Sequence, residues 1–479
     1  MSILLGSEAP LPEVEIASPE LNLAPRDIEG LLAELREYHA LFSPLFYRKE
    51  QGYWALKYME GLLLDIEHKA VEPMADALEG GNVRAMQQFL GQGAWEDSVI
   101  LRVHRREVAH TLGTEDGVLL VDGSDFPKQG TESVGVARQW CGALGKVDNC
   151  QAGVFVGYAS SQGHTLVDAR LYLPAQWFTE EYVQRRKRCG VPEDVSFRTK
   201  PELAWEMVEE IVAEGALPFS WITFDEGYGD NPLFLERLDG LGLRYLAEVA
   251  CDTLVWKDRP ETYVPPPPPR GRPPSRERLR PEAPSAERVD EIAASLPPEA
   301  WSRWIVKEGS KGPIVAEFAA LRVVVCRDQL PGPEQWVILR RTLGEKPLLK
   351  YYLSNAPEDI PLSEMVWVSG MRWPIETTFE EGKGELGMDQ YETRSWRGWH
   401  HHMTLTMLAH HFLVRLRLRL QDKAPALTVP QVRLLLRAIL PKKTFDASTV
   451  LDLVHRIQHR NHAAYLSHRR RKHQQIDGL

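Results

Sequence analysis

The chain has 479 residues, 43% hydrophobic and 26% charged, enough apolar material for a large globular core, and at roughly 100–200 residues per domain it divides into two to four domains. No run of 18 apolar residues occurs, which excludes a transmembrane helix; the N-terminus lacks the basic and apolar regions of a signal peptide; and Cys141, Cys150, Cys189, Cys251 and Cys326 are odd in number without CxxC spacing, which argues against a disulfide framework or zinc knuckle and fits a reducing cytoplasm. The net charge of −10 disfavours a nucleic-acid binder on average, but residues 1–60 carry −5 and residues 421–479 carry +7 with five further histidines, so a basic face is available.

Residues 1–115 read as a helical domain. LLAELREYHALF and YWALKYMEGLLLDIEHKAVEPMADAL space their apolar residues by three and four, with Pro25 and Asp27 at a helix start. The period changes at Gly117. GVLLVD, SVGVARQW, CQAGVFVGYAS and HTLVDARLYLP read as successive strands, followed by a helix in PELAWEMVEEIVAEG, a strand in SWITFD, a helix in NPLFLERLDGLG and a strand in RYLAEVA.

Residues 116–254 are therefore the first part of an α/β core. Ten prolines fall between 260 and 284, including Pro265 to Pro269, where polyproline II is the natural conformation. Residues 255–355 read as this Pro-rich linker plus a β-rich insertion. Residues 356–420 return to helix, and 421–479 form a basic helical C-terminal region.

Three acids stand out by position. Asp122 ends the strand VLLVD, Asp225 ends SWITFD, and Glu376 lies in the helical stretch RWPIETTFEEGKGELG. Carboxylates at strand ends face the crevice where active sites of open sheets lie, and three converging carboxylates make a hard oxygen site suited to Mg²⁺. Asp125, Glu226 and Glu380 are nearby rivals, Glu380 the most serious because it lies one turn beyond Glu376. Lys128, in the turn after the first strand, is a candidate for DNA phosphate or a plain surface lysine. Arg270 and Arg272, in PRGRPP, resemble the core of an AT-hook entering a narrow minor groove, with a solvated linker as the plainer reading. His400, His401 and His402 are consecutive and point in different directions on a helix, as do His410 and His411, so no zinc site is read there. The absence of GxxxxGK[ST] leaves no nucleotide cofactor.

VLLVDGSDFPKQG, SVGVARQWCGALGKVDNCQAGVFVGYAS, FDEGYGDNPLFLERL and RWPIETTFEEGKGELGMDQYETRSWRGWHHHMTL occur in that order. Together they resemble the DDE-type transposases of bacterial insertion sequences, from about residue 30 to 415. The resemblance implies a ribonuclease-H-like catalytic core, a mixed sheet flanked by helices, with an all-α N-terminal domain and a β-rich insertion. It implies that Asp122, Asp225 and Glu376 are the first, second and third metal ligands, holding two Mg²⁺ ions for which Mn²⁺ substitutes. Arg372 and Lys383 match the family's phosphate-positioning residues around the third acid, whereas the family's tyrosine is here Ser369. The resemblance further implies double-stranded DNA as partner (terminal inverted repeats and target), a homodimer on DNA and no membrane. The readings left open beside it are a metal-dependent nuclease without strand transfer and a catalytically retired DNA-binding descendant.

Overall fold

The computed structural model describes residues 21–266, 275–309 and 312–476. Six helices come first: α1 (Pro25–Glu29), α2 (Leu31–Ala40), α3 (Lys49–Leu63), α4 (Val71–Ala77), α5 (Val83–Gln92) and α6 (Asp97–Leu112). Pro25 sits in the first turn of α1 and Asp27 accepts the Ala24 N–H at 2.9 Å, which satisfies a donor that the helix start leaves free. Buried residues recur at helical spacing, Leu31, Leu35 and Tyr38 on α2 and Ala55, Tyr58, Met59, Leu62 and Leu63 on α3.

The next block is β1 (Val118–Pro127), β2 (Ala137–Cys141), β3 (Lys146–Ser160) and β4 (Gly163–Tyr172). The helices α7 (Val183–Cys189) and α8 (Lys200–Glu214) follow, then β5 (Trp221–Phe224), α9 (Glu226–Gly229), α10 (Pro232–Gly240) and β6 (Arg244–Val249). α8 carries its own start and stop signals: Thr199 and Glu202 form a capping box, and Gly215 takes the left-handed conformation that ends it. Between them Ala204, Met207, Val208 and Ile211 are buried. β1 pairs antiparallel with β3 and parallel with β5, β5 is parallel to β6, and β4 lies antiparallel on β3.

The β-rich segment forms β7 (Leu254–Trp256), β8 (Thr262–Tyr263), β9 (Arg278–Leu279), β10 (Glu287–Arg288), α11 (Val289–Ser295), β11 (Ser302–Gly309), β12 (Gly312–Arg327), β13 (Leu330–Thr342) and β14 (Leu349–Ser354). It extends the core sheet. β14 pairs with β6 from Tyr351 opposite Val249 to Ser354 opposite Leu246, so one twelve-stranded sheet runs through both segments. The unpaired edge of a parallel β6 supplies the hydrogen-bonding groups that a returning strand satisfies. Arg270 and Arg272 lie outside the described residues.

The chain ends in α12 (Leu362–Met371), α13 (Trp373–Leu386), α14 (Trp396–Leu420), α15 (Val429–Leu436) and α16 (Ala447–Ile476). α14 is buried for most of its 25 residues, and its histidines bond to separate partners. His400 Nδ1 bonds to the Trp396 carbonyl, and His401 stacks on Trp95 at 3.5 Å. His402 Nδ1 meets the Tyr58 hydroxyl at 2.8 Å and its Nε2 the Met388 carbonyl at 3.1 Å. His411 lies between Tyr38 and Thr111, and His410 between Thr165 and Glu381. The contacts with Tyr38, Tyr58, Trp95 and Thr111 fasten the N-terminal region to α14. No helix among the described residues is long and apolar enough to cross a membrane.

Two expectations follow. Burial holds His39 and His104 down to about 4 and His402 to about 3. The folded state therefore keeps them neutral while the unfolded chain protonates them near 6.5. Stability is full above about pH 6.5 and falls as pH drops toward 4, by about 1.4 kcal/mol per pH unit per histidine. Urea unfolding between pH 7.5 and 5 checks this, and a flat profile would refute it. Separately, α9 packs so closely on β6 that a Cβ at Gly229 would overlap the Glu248 carbonyl oxygen. Gly229→Ala should cost about 1–3 kcal/mol, read as a lower urea midpoint.

Candidate active site

β5 stops where Asp225 turns the chain. Its carboxylate accepts the Gly227 N–H at 3.0 Å and caps α9. Asp122 is not the end of its strand, as the sequence suggested. β1 continues to Pro127 because the 15-residue β3 pairs along its whole length. On the other side, the parallel partner β5 gives out at Phe224, opposite Val121. Asp122 is thus the first residue of β1 beyond the parallel pairing, which leaves its carboxylate next to Asp225. Asp125 lies in the same strand and accepts the Gly142 N–H at 2.6 Å, which ties down the β2–β3 hairpin. Glu226 is exposed in α9.

Glu376 comes from the first turn of α13. Arg372 sits at the junction between α12 and α13, in helical conformation. Its guanidinium meets three carboxylates: Glu376 at 2.9 Å, Glu248 at 3.2 Å and Asp122 at 3.6 Å. Burial works against the Arg372 charge, but Glu248, Asp122, Glu376 and Asp225 outweigh it and hold the group protonated. Burial first, and the Asp225 charge second, push the Asp122 carboxyl up to about 7 against the pull of Arg372. Burial also raises Asp225, with Arg372 and the Gly227 N–H opposing and Glu248 adding. The expected acids therefore feel one another across three elements. Glu380 is exposed.

The remaining expected residues face differently. Lys383 lies 5.5 Å from the centre of the Phe126 ring, and burial lowers its pKa. Lys128 is folded inward: its ammonium sits 3.5 Å from the Tyr391 ring centre and donates to the Tyr391 carbonyl, and burial brings it down to about 8. It therefore does not stand free in a turn, because Tyr391 supplies both a π-face and a carbonyl within reach. Ser369 is buried and donates to the Val366 carbonyl within α12.

Reading the sequence missed Glu248, on β6, because RYLAEVA looks like a plain core strand. It also missed Tyr228, in the turn after Asp225, whose buried hydroxyl has no hydrogen-bond partner among the described residues and feels the Asp122, Asp225 and Asp125 charges. At the rim, Trp373 is exposed and carries Lys307 of β11 at 5.1 Å from its ring centre. The one local signal for these was the pair of glycines in EGYGDN, which marks a tight turn.

Asp122, Asp225 and Glu376 are all carboxylates, the hard oxygen donors that Mg²⁺ prefers. Among the described residues no three His, Cys, Asp or Glu side chains already close on one point as a ligand set. Arg372 is the cation that Asp122 and Glu376 engage among the described residues, so the donor set fits a divalent ion in kind, and such an ion would compete with Arg372 for them.

A probable transposase for insertion sequence element IS701 from Microchaete diplosiphon is 25% identical over 233 residues, 48% of this chain and 57% of the relative, so the chain matches little more than half of that relative's length. The crystal structure of the NurA nuclease from Sulfolobus solfataricus aligns at 10% identity over 59% of this chain and 86% of that one, with a TM-score of 0.26, too low to bear on the fold. Residues 41–313 match the family described as DDE superfamily endonuclease, a stretch that includes Asp122 and Asp225 and stops before Glu376. With more than half of its length so matched, the chain belongs to the DDE superfamily endonuclease family.

Proposed function

We propose that this protein is a DNA transposase that cuts and rejoins the ends of an insertion element by metal-assisted phosphoryl transfer, with Asp122, Asp225 and Glu376 as its catalytic triad. The observation that carries the reading is that Arg372 ion-pairs with Asp122 and Glu376, with Asp225 within electrostatic reach, beside the C-terminal end of β5. The strand order β4-β3-β1-β5-β6, with β5 and β6 parallel to β1, supports a ribonuclease-H-like core. The similarity to a probable transposase supports DNA as the substrate.

Two Mg²⁺ ions, or Mn²⁺ in their place, would supply Lewis-acid activation of the attacking oxygen and stabilisation of the leaving one. Asp122, on β1, and Asp225, just past the end of the adjacent parallel β5, would hold the deep side of the site. Glu376 closes it from α13. Arg372 offers a planar fork of donors to a phosphate, and Lys383 adds positive charge two turns along α13. Water attacks the phosphodiester and displaces the 3′-hydroxyl of the element end; that hydroxyl then attacks a target phosphodiester in line, joining to its phosphorus as the target strand's own 3′-oxygen leaves. No side chain needs to become covalently attached to DNA. The helical N-terminal region and the basic α16 bind the element ends through phosphate contacts, Arg270 and Arg272 add to them, and the active species is a homodimer on DNA in the cytoplasm.

The test is cleavage and joining of labelled duplexes made from the DNA that flanks the coding sequence, with Mg²⁺ or Mn²⁺. Asp122→Asn, Asp225→Asn and Glu376→Gln should each lose activity by more than about 100-fold, beyond the loss typical of outer-shell changes, while duplex binding survives. Cutting without joining identifies a metal-dependent nuclease. Binding without chemistry identifies a retired DNA-binding descendant. Activity that survives Glu376→Gln but not Glu380→Gln moves the third acid to Glu380.

A further inference from the structure

Glu248 lies level with the second acid. The parallel register sets Phe224 opposite Ala247, so Asp225 and Glu248 are the next residues on adjacent strands. The Glu248 side chain is mostly buried and divided between two cations. Its Oε1 accepts from Lys350 Nζ of β14 at 2.7 Å. Its Oε2 lies 3.2 Å from Arg372 Nε, an ion-pair contact, and is buried without a hydrogen bond to Arg372 or to any other group among the described residues. The backbone at Glu248 has a separate task, since its carbonyl packs against Gly229 in the turn that follows Asp225.

We propose that Glu248 is a positioning residue for Arg372. This rests on the reading of the site as a metal-dependent DNA-cutting centre. In such a centre Asp122 and Glu376 become metal ligands, and the two contacts they make with Arg372 weaken. A guanidinium at a mostly buried sheet edge is costly to leave uncompensated. Glu248 is the carboxylate that remains to it. Its contact is to Nε, at the inner end of the guanidinium, so it holds the side chain without occupying Nη1 and Nη2. Those two nitrogens are then free for a phosphate, the bidentate geometry for which arginine is suited. Lys350 fixes the carboxylate from the other side. β14 therefore connects the β-rich segment to the active site through a Lys350–Glu248–Arg372 relay of charges.

The test compares the full-length wild type with Glu248→Gln, Arg372→Gln and the double variant, on the same flanking-DNA duplexes across a Mg²⁺ series. Glu248→Gln should lower the cleavage rate at saturating DNA and metal by about 10–100-fold, with the Mg²⁺ concentration at half-maximal rate unchanged. In the Arg372→Gln background the same change should cost little, because its target is already gone. Glu248→Asp, which keeps the charge and shortens its reach, should fall between wild type and Glu248→Gln; it carries the comparison if the Gln variant melts below the assay temperature. A Glu248→Gln enzyme as fast as wild type overturns the proposal, as does an equal loss in both backgrounds. A shift in Mg²⁺ half-saturation overturns it as well, by making Glu248 a ligand. A wild type that cuts no duplex in any metal overturns the functional reading and this relay with it, an outcome distinct from an active wild type indifferent to Glu248.

Discussion

Four carboxylates gathered beside the C-terminal end of β5 repel one another, and burial makes the repulsion larger. Arg372 is what allows Asp122, Asp225, Glu248 and Glu376 to lie so close together. Its guanidinium ion-pairs with three of them and lies within electrostatic reach of the fourth. The same crowding would favour a divalent cation, since each added positive charge relieves it. Burial and the Asp225 charge shift Asp122 to about 7, the direction in which neutralising the cluster is favoured.

That arrangement depends on three backbone devices. The parallel pairing of β1 with β5 ends at Val121, which exposes Asp122 toward Asp225. Gly229 lets α9 lie flat on β6, so Asp225 both caps a helix and faces the site. The junction between α12 and α13 sets Arg372 one turn before Glu376 without a break in helical geometry. Each device belongs to a different part of the chain, and the site exists where they meet.

The rest of the fold holds these parts in register. The long α14 is wedged between the N-terminal helices and β4, and its histidines bond to both sides, to Tyr38 and Tyr58 on one and to Thr165 on the other. At His402 a neutral imidazole suits this task. His402 donates to the Met388 carbonyl from one nitrogen and accepts from the Tyr58 hydroxyl at the other, which satisfies the ring without a buried charge. The β-rich segment acts through the same sheet, with Lys350 of β14 bonding to Glu248 at the edge of the site.

Local periodicity and capping residues were legible in the sequence. The capping box of Thr199 and Glu202, the buried stripe of α8 and the apolar runs of β3 and β5 all stand in short segments whose pattern is sufficient, whereas Asp122, Asp225 and Glu376 were singled out by a family resemblance and not by local pattern alone. The tertiary structure decided what those segments meet. Nothing near Glu248 signals that Arg372, 124 positions later, lies against it, and nothing near Lys128 signals the ring of Tyr391. The continuation of the core sheet into β14, and the extension of β1 past Asp122, follow from which strand edges found partners. The physical reason is the same in each case. Helix and strand formation depend on neighbours within a few residues, whereas ion pairing, burial and strand pairing depend on distance in space, and only the folded chain sets that distance.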